Sequence, residues 1–438
     1  MCMLNKRIIA DILGVKHTII ESFNSIDNKG DIVINVRPTK GQQLRCPICN
    51  RKSDFYDKGR GMRLWRNCDW NNRLVYLASY APRINCKKHG VLVAKVPWAR
   101  HNSGFTYEFE QVVAYKALSC SKTAVSNEMR ISWESVGNII SRVRKSVDPN
   151  PKSRLDGLVR IGVDETSYRK GHKYLTVIVN HDTGKAIWVS AGYGSDILSS
   201  FFEQLTPEQR ASIKYVTADG ARWISSCIEE YCPGAIRCMD SFHVVEWATE
   251  ALDKVRKEAW RDARSNATPK PKRKRGRPSA DAPKMLPSEA DHLKGVKYAL
   301  GKAPENLTYN QQTRLAMLAI SDKRLYRAYL WKERLRLILH ASYEEAAEEL
   351  DSWIKGVKHC RIPEFLDLGK KIERHRDAIL ATVKYGLSNA RIEAINNKIK
   401  LTIRMAYGFK NIENMLDMIM LRCSDIKIPL PWEELIAA

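Results

Sequence analysis

The chain has 438 residues, 44% of them hydrophobic and 8% aromatic, so it is long enough for two or more domains that each bury a core. Lysine and arginine number 73 against 49 acidic residues, and the net charge of +24 favours a polyanionic partner, most often nucleic acid, over a membrane surface. No apolar run approaches the roughly 18 residues of a membrane-spanning helix. The first residues lack the pattern of a signal peptide, so we expect the 11 cysteines to be reduced thiols in the cytoplasm.

Residue types that bind zinc occur in two closely spaced pairs near the N terminus. Two residues separate the members of each pair, and the four candidates are Cys46, Cys49, Cys86 and His89. This spacing forms tight knuckles that suit a tetrahedral Cys3His site, whose four filled positions predict a structural zinc ion. Strand-like segments at 62–66 and 73–77 lie between the pairs, so we expect a zinc ribbon with a hairpin insert in a domain spanning 1–98. Unliganded thiols are the alternative, and Cys68 is a substitute ligand that lacks a partner at this spacing.

The apolar residues change to helical spacing in the next segment, 99–150. A short helix is predicted at 122–129, and Ser132 is placed to cap a longer helix after a tight turn. This order is typical of a helix-turn-helix DNA-binding domain, although a generic three-helix bundle has the same pattern. Three basic residues close the longer helix and are the predicted DNA contacts there: Arg142, Arg144 and Lys145.

Short β-branched runs predict a sheet in the segment 151–245. Strands are expected at 158–165, 173–180, 185–190, 213–219 and 234–240. A His-Asp-Thr-Gly turn joins the second and third strands as a hairpin, and a helix is expected at 196–210. An RNase H-like α/β domain has this order of elements: three antiparallel strands, a helix, and then two further strands that alternate with helices.

Acidic residues stand at the ends of strands in this predicted sheet. Asp164 and Asp219 each follow a buried apolar run, and open α/β sheets place their chemistry at such rims. An acid that caps a strand or opens a turn is the alternative for either residue alone. Two carboxylates so placed suit hard divalent cations such as Mg2+ or Mn2+, as in two-metal phosphoryl transfer, and such a site normally needs a third carboxylate.

From 246 to 375 the chain is expected to be nearly all helical, with Leu335, Leu337 and Trp353 among the residues assigned to its core. A basic loop at 268–284 interrupts the helices and has the composition of a flexible segment. Its basic residues are predicted to contact DNA, either in the minor groove as in an AT-hook or as unspecific phosphate contacts. They are Lys272, Arg273, Lys274, Arg275 and Arg277.

A long helix is predicted to begin near Ser388 or Asn389, within a final segment 376–438. Glu393 and Lys400 lie on one face of this helix, which is usually a solvated face. The opposite face consists of isoleucines: Ile392, Ile395 and Ile399. Because that apolar face would pack against the sheet, we expect Glu393 to lie along the rim and to complete an acidic triad.

These motifs together resemble the DDE transposases of the bacterial insertion-sequence family ISL3. The resemblance rests on Gly-Val-Asp164-Glu, Thr-Ala-Asp219-Gly, Asp240-Ser-Phe-His243, the segment 389–400 around Glu393, and Arg-Met-Ala-Tyr-Gly at 404–408. The zinc knuckles and the helix-turn-helix also follow that family's order. The resemblance implies a catalytic triad of Asp164, Asp219 and Glu393, and an auxiliary role for Asp240 and His243. It further implies a multidomain α+β protein with an all-α insertion at 246–375 in an RNase H-like catalytic domain.

The activity implied by the resemblance is cleavage and strand transfer of double-stranded DNA at the terminal inverted repeats of an insertion sequence. Asp164 would bridge two Mg2+ or Mn2+ ions that activate the nucleophile and stabilise the leaving oxygen. Lys400 is predicted to neutralise a nearby phosphate, and a homodimer is expected because two element ends are processed together. The alternatives are a catalytically silent, zinc-containing DNA-binding regulator and a structure-specific nuclease, which would not need an end-recognition module.

Overall fold

The computed structural model describes residues 6–26, 30–266, 288–430 and Glu433. The basic loop lies outside the described residues, and with it the predicted DNA contacts Lys272, Arg273, Lys274, Arg275 and Arg277. The chain forms two compact units, of which one comprises 1–154 and 397–438 and the other 155–396. In the described part of the chain, no helix combines the length and apolar character that a membrane span requires.

The first unit begins with a short helix and two small sheets. The elements are α1 (Lys6–Ile12), β1 (Thr18–Ile26), β2 (Asp31–Pro38), β3 (Asp54–Asp57), β4 (Met62–Trp70), β5 (Arg73–Tyr80), β6 (Arg83–Cys86) and β7 (Gly90–Val93). One sheet has the order β1-β2-β5-β4 and the other β3-β6-β7. The predicted β4–β5 hairpin is present, and it is inserted along the chain between β3 and β6 of the smaller sheet. Its parallel pairing with β2, which was not predicted, makes it part of the larger sheet. Ile34, Leu77 and Trp65 bury this sheet's apolar face.

Three helices follow in the same unit, and they match the predicted short helix, turn and longer helix. They are α2 (Tyr107–Ser119), α3 (Lys122–Met129) and α4 (Trp133–Val147). Arg130 takes a left-handed conformation at the end of α3, and the hydroxyl of Ser132 accepts a hydrogen bond from the backbone N–H of Ser135 at 3.1 Å, which caps α4 as predicted. The fully buried side chains of Val125 and Ile139 hold the helices together.

A five-stranded sheet forms the first part of the second unit. Its elements are β8 (Arg160–Arg169), β9 (Lys173–Asn180), β10 (Lys185–Ala191), α5 (Ser195–Phe202), α6 (Pro207–Ser212), β11 (Tyr215–Ala218), α7 (Arg222–Tyr231) and β12 (Ile236–Met239). The sheet order is β10-β9-β8-β11-β12, with antiparallel pairing in the first three strands and parallel pairing in the last three. The helix predicted at 196–210 is two helices, because Pro207 starts a new helix after the Thr206 cap.

The prediction that Asp164 ends its strand is wrong. β8 continues to Arg169 and pairs Asp164 with Val177 of β9. On its other side, β8 pairs with β11 only as far as Gly162. Asp164 therefore lies just past the point where the sheet loses a strand, and Asp219 directly follows that strand. Both acids thus lie at the edge where β11 ends, although Asp164 is within its strand and not at its end.

The remaining helices of the chain follow. They are α8 (Ser241–Ser265), α9 (Glu289–Gly295), α10 (Lys297–Gly301), α11 (Tyr309–Ser321), α12 (Lys323–Ile338), α13 (Tyr343–Val357), α14 (Pro363–Arg374), α15 (Arg376–Tyr385), α16 (Ala390–Met405) and α17 (Ile412–Cys423). Leu335 and Trp353 are fully buried in the core of this helical part, as predicted. Leu337 is 58% exposed and not in the core, because two residues after Leu335 the helix has turned by about 200°.

The last two helices, α16 and α17, belong in part or entirely to the first unit. The isoleucine face of α16 is buried, as predicted, while the helix itself passes from the second unit into the first after Asn396. In the first unit, α17 packs on α4: the hydroxyl of Ser141 donates to Asn414 Oδ1 at 2.9 Å, and Met418 joins the helix-turn-helix core. The predicted segment 376–438 is thus divided between the two units.

Candidate active site and metal-binding cluster

The four predicted zinc ligands meet at one end of the small sheet. Cys46 and Cys86 each place Sγ 3.6 Å from Nδ1 of His89, and the sulfurs of Cys49 and Cys86 are 3.7 Å apart. Zinc–sulfur bonds of about 2.3 Å in a tetrahedron give sulfur–sulfur edges of about 3.8 Å, so the spacing fits a zinc ion. Among the described residues, no other three His, Cys, Asp or Glu ligand atoms lie within 4.8 Å of one another. Cys68 is not part of this cluster.

The electrostatics of the cluster also favour metal binding. The backbone N–H of Lys88 hydrogen-bonds the sulfur of Cys86, and together with His89 it lowers the pKa of this thiol to about 6. Cys68 is different, because burial raises the pKa of its thiol to about 12. Zinc binds thiolates and not thiols, and Cys86 is therefore suited to be a ligand. The pKa of the Cys49 thiol is also raised, so it is position that separates Cys49 from Cys68, because only Cys49 lies in the cluster.

The second candidate site is built around Asp164. Oδ1 of Asp164 accepts a hydrogen bond from the backbone N–H of Glu165 at 2.8 Å, and Oδ2 accepts one from Nδ2 of Asn396 at 2.6 Å. Burial, helped by the negative charges of Asp240 and Asp219, raises the pKa of Asp164 to about 6. The backbone N–H of Glu165 and the charge of His243 oppose this shift. Asp164 is therefore a poorly solvated carboxylate in a field of like charge.

Asp219 is held at the end of β11 by a tight turn. Its Oδ1 accepts a hydrogen bond from the backbone N–H of Ala221 at 3.0 Å, and its carbonyl oxygen accepts one from the guanidinium of Arg237 on β12. A Cβ on Gly220 would lie 2.4 Å from the indole of Trp247, so only glycine permits α8 to pack this close. The close contact fixes the position of Asp219 relative to the start of α8.

Asp240 connects the sheet to α8 and brings a histidine into the site. Its Oδ1 accepts from the backbone N–H of Phe242 at 3.1 Å and caps the helix, while its Oδ2 lies 3.7 Å from Nε2 of His243. Nδ1 of His243 is 3.0 Å from Oε2 of Glu246. Burial raises the pKa of Asp240, and the charge of Glu393 adds to this effect. Glu393 therefore lies within electrostatic reach of Asp240, and Asp240 within reach of Asp164.

A glycine on β8 determines how close α16 approaches the sheet. A Cβ on Gly162 would lie 2.1 Å from Cδ1 of Ile392, so this isoleucine of the helix packs directly on the backbone of the strand. Glu393 is exposed at the next position of the helix. In this structure the acids form an electrostatic cluster and not a closed ligand shell, because no three described carboxylate residues bring one oxygen each to within 4.8 Å of one another.

Several residues of this site were not found from the sequence. Asn396 is buried against Asp164, and Asn389 is buried beside Asp240, whose charged form its amide favours. In the sequence, Asn389 and Asn396 are spaced at helical intervals from Glu393. This spacing is the sequence feature that could have identified both asparagines as residues of the site. Lys371 of α14 lies 3.5 Å above the ring of Trp247; burial lowers its pKa, while Asp219 and two glutamates oppose the shift. Sequence spacing contains no signal for Lys371, because α14 is distant along the chain.

The predicted basic contacts have varied surroundings. Nε of Arg142 donates to Oε1 of the fully buried Glu110 at 2.7 Å. Arg144 forms ion pairs with Asp148 and Asp417 at 3.5 and 3.4 Å, whereas Lys145 is exposed. Lys400 is exposed on the part of α16 that belongs to the first unit. Arg142 and Arg144 therefore form ion pairs within the protein. Contact with DNA stays a prediction for these residues, for Lys145 and for Lys400.

Comparison with known proteins gives a consistent set of matches. Residues 161–419 match the family model DDE_Tnp_ISL3, described as a transposase, and residues 94–144 match the helix-turn-helix domain of transposase family ISL3. The chain is 46% identical over 439 residues to the transposase for insertion sequence element IS1557 of Mycobacterium tuberculosis, with 98% of each chain covered. It is 25% identical over 327 residues to the transposase for insertion sequence element IS1001 of Bordetella parapertussis, covering 74% of this chain and 75% of that protein.

Proposed function

The chain belongs to the ISL3 family of transposases, and we propose that it binds the terminal inverted repeats of its insertion sequence and catalyses metal-dependent cleavage and strand transfer there. The observation that carries this proposal is the cluster of Asp164, Asp219, Asp240 and Glu393, which four separate elements bring to one rim of the sheet. The charges of Asp219 and Asp240 act on Asp164, and that of Glu393 acts on Asp240, an arrangement that a fold does not need for stability. A site that binds divalent cations does.

The proposed catalytic domain is RNase H-like. The sheet order β10-β9-β8-β11-β12, with its three antiparallel strands before two parallel ones, supports this assignment. We assign 1–98 to zinc binding, 99–150 to the helix-turn-helix, and 151–245 with 376–396 to the catalytic domain. The remaining residues, 397–438, belong to the first unit, where α17 packs on the helix-turn-helix. The helices at 246–375 are then an insertion between the second and third acids.

Asp164, Asp219 and Glu393 are the proposed ligands of two Mg2+ or Mn2+ ions. The donor set fits, because hard cations prefer carboxylate oxygens and because the buried Asp164, with its pKa near 6, gains from a neutralising charge. When bound, such ions supply an activated nucleophile and stabilise the leaving oxygen at phosphorus.

The protein's own groups orient this site. The backbone N–H of Glu165 and the amide of Asn396 hold both oxygens of Asp164, and the turn at Ala221 holds Asp219. We assign Asp240 and His243 an auxiliary role in which Asp240 fixes the start of α8 and the imidazole lies between two carboxylates.

DNA recognition is the proposed role of the first unit. A structural zinc ion at the Cys3His cluster would hold the ribbon, and the helix-turn-helix would read base edges of double-stranded DNA. Arg142, Arg144, Lys145, the basic loop and Lys400 are proposed as phosphate contacts, and the net charge of +24 adds salt-sensitive attraction. Because two element ends are processed together, we propose a homodimer in the DNA complex.

Purified protein with a labelled duplex that carries the element's own end tests this function. In Mg2+ or Mn2+ we expect cleaved and joined strands, which Asp219→Asn abolishes because the amide loses the charge at constant shape. Glu230→Gln is the matched control, since Glu230 is exposed on α7 outside the cluster. Tight end binding without cleavage in either metal would instead establish a DNA-binding regulator, and cleavage without end preference or joining a nuclease.

A further inference from the structure

A groove in the second unit opens beside the acidic cluster. Its volume is about 810 Å³, and its walls come from α8 and α10. Phe242 lines it and follows Asp240 by two residues. Glu246 also lines it and contacts His243, which in turn lies beside Asp240. The groove therefore begins within one helical turn of Asp240.

Two aromatic side chains in this groove are exposed in a way that packing does not explain. Phe242 is 61% exposed and Tyr298 is 75% exposed, and both line the groove. Neighbouring residues Val244 and Ala299 supply the buried contacts of the two helices. Exposed aromatic faces are the surfaces on which single-stranded nucleic acids stack their bases, largely without regard to sequence.

The charge of the groove favours a polyanion. Its cationic residues are Lys254, Arg256, Lys257, Lys297 and Lys302, and its acidic residues are Glu246, Glu250 and Asp253. Asp253 is already neutralised by Arg256 and Lys257, at 2.7 and 2.9 Å. Lys254 and Lys297 are exposed, and neither has an ion-pair partner among the residues that the structure describes. They are therefore available to phosphates.

We propose that this groove binds an unpaired segment of DNA next to the cleavage site. Bases stack on Phe242 and Tyr298, and the phosphates of the same segment lie near Lys254 and Lys297. The occupant is an unpaired strand because the base pairs of a duplex are stacked on one another and offer no free faces in their interior. The inference rests on the proposed function, since strand cleavage at an element end is the step that would present such a segment to the groove.

The test compares two labelled duplexes of the element end, one blunt and one with a three-nucleotide unpaired tail that contains 2-aminopurine. Binding to full-length protein is measured without divalent cation and without chelator, so that no cleavage occurs and bound zinc is retained. We expect tighter binding of the tailed duplex and quenching of 2-aminopurine by stacking. Phe242→Ala and Tyr298→Ala should each reduce the preference for the tail roughly ten-fold. Phe242→Trp should retain it.

Tyr309→Ala is the matched control, because Tyr309 is 81% exposed and does not line the groove. The inference is overturned if both duplexes bind equally, or if the control loses as much preference as the groove variants. Circular dichroism and thermal melting of each variant separate loss of the groove from loss of folding. Tail preference without metal-dependent cleavage would support the groove and refute the proposed function, whereas cleavage and joining without tail preference would refute the groove alone.

Discussion

The Asn396→Ala substitution tests whether Asn396 orients the carboxylate of Asp164. We expect it to weaken metal binding at Asp164 while changing the stability of the fold only slightly. Asn396 is 6% exposed, and its Nδ2 donates to Asp164 Oδ2 at 2.6 Å, while its own Oδ1 is buried without a hydrogen-bond partner in the structure. A hydrogen bond to a charged group contributes about 1.5–3 kcal/mol, and a buried unsatisfied oxygen costs about 1–3 kcal/mol. Because the substitution removes both, the two effects largely offset each other, and we expect the free energy of unfolding to change by no more than about 2 kcal/mol.

The effect on metal binding should be much larger. Residues that orient a metal ligand typically contribute 10- to 100-fold to metal affinity, so the Mg2+ concentration for half-maximal cleavage should rise by about that factor in Asn396→Ala. Mn2+ affinity without DNA, measured by calorimetry, should fall in parallel and does not depend on catalysis. Asn397→Ala is the control, because Asn397 is the exposed next residue of the same helix. Equal metal dependence in the two variants would refute the reasoning.

Three further predictions concern the zinc cluster, the contact of β8 with α16, and a buried histidine. Cys86→Ser should abolish a zinc content of one ion per chain, measured by atomic emission, and lower the melting temperature; retained zinc would exclude the Cys3His assignment. Gly162→Ala should destabilise the protein by about 1–3 kcal/mol in chemical denaturation, because the new Cβ would overlap Ile392, whereas Gly234→Ala has open space and should cost less. Burial lowers the pKa of His181 to about 4, so the folded state keeps it neutral while the unfolded state binds a proton below pH 6.5. Stability should therefore fall by up to about 3 kcal/mol between pH 6.5 and 4, and His181→Gln should remove this part of the pH dependence.

The zinc cluster illustrates how much local spacing can determine. Two residues between Cys46 and Cys49, and again between Cys86 and His89, favour two tight knuckles. The structure brings all four ligand atoms within 4.8 Å of one another. The same spacing could not reveal which sheet the hairpin between the pairs would join. That depends on the pairing of β5 with β2, which is a contact between residues more than 40 positions apart.

The acidic site divides in the same way between sequence and structure. From the sequence alone came the succession of strands and helices along the chain, the α3–α4 pair and the acids proposed as ligands, because period and terminal residues are local properties. Tertiary packing alone determines that β8 extends beyond the end of β11 at Asp164, and that Gly162 allows α16 to pack on the sheet. It also determines that Asn396 hydrogen-bonds Asp164, which is 232 positions away in the chain. It also decided that α17 completes the helix-turn-helix core. These features arise from side chains that meet only after distant segments have packed, and no periodicity along the chain encodes which segments those are.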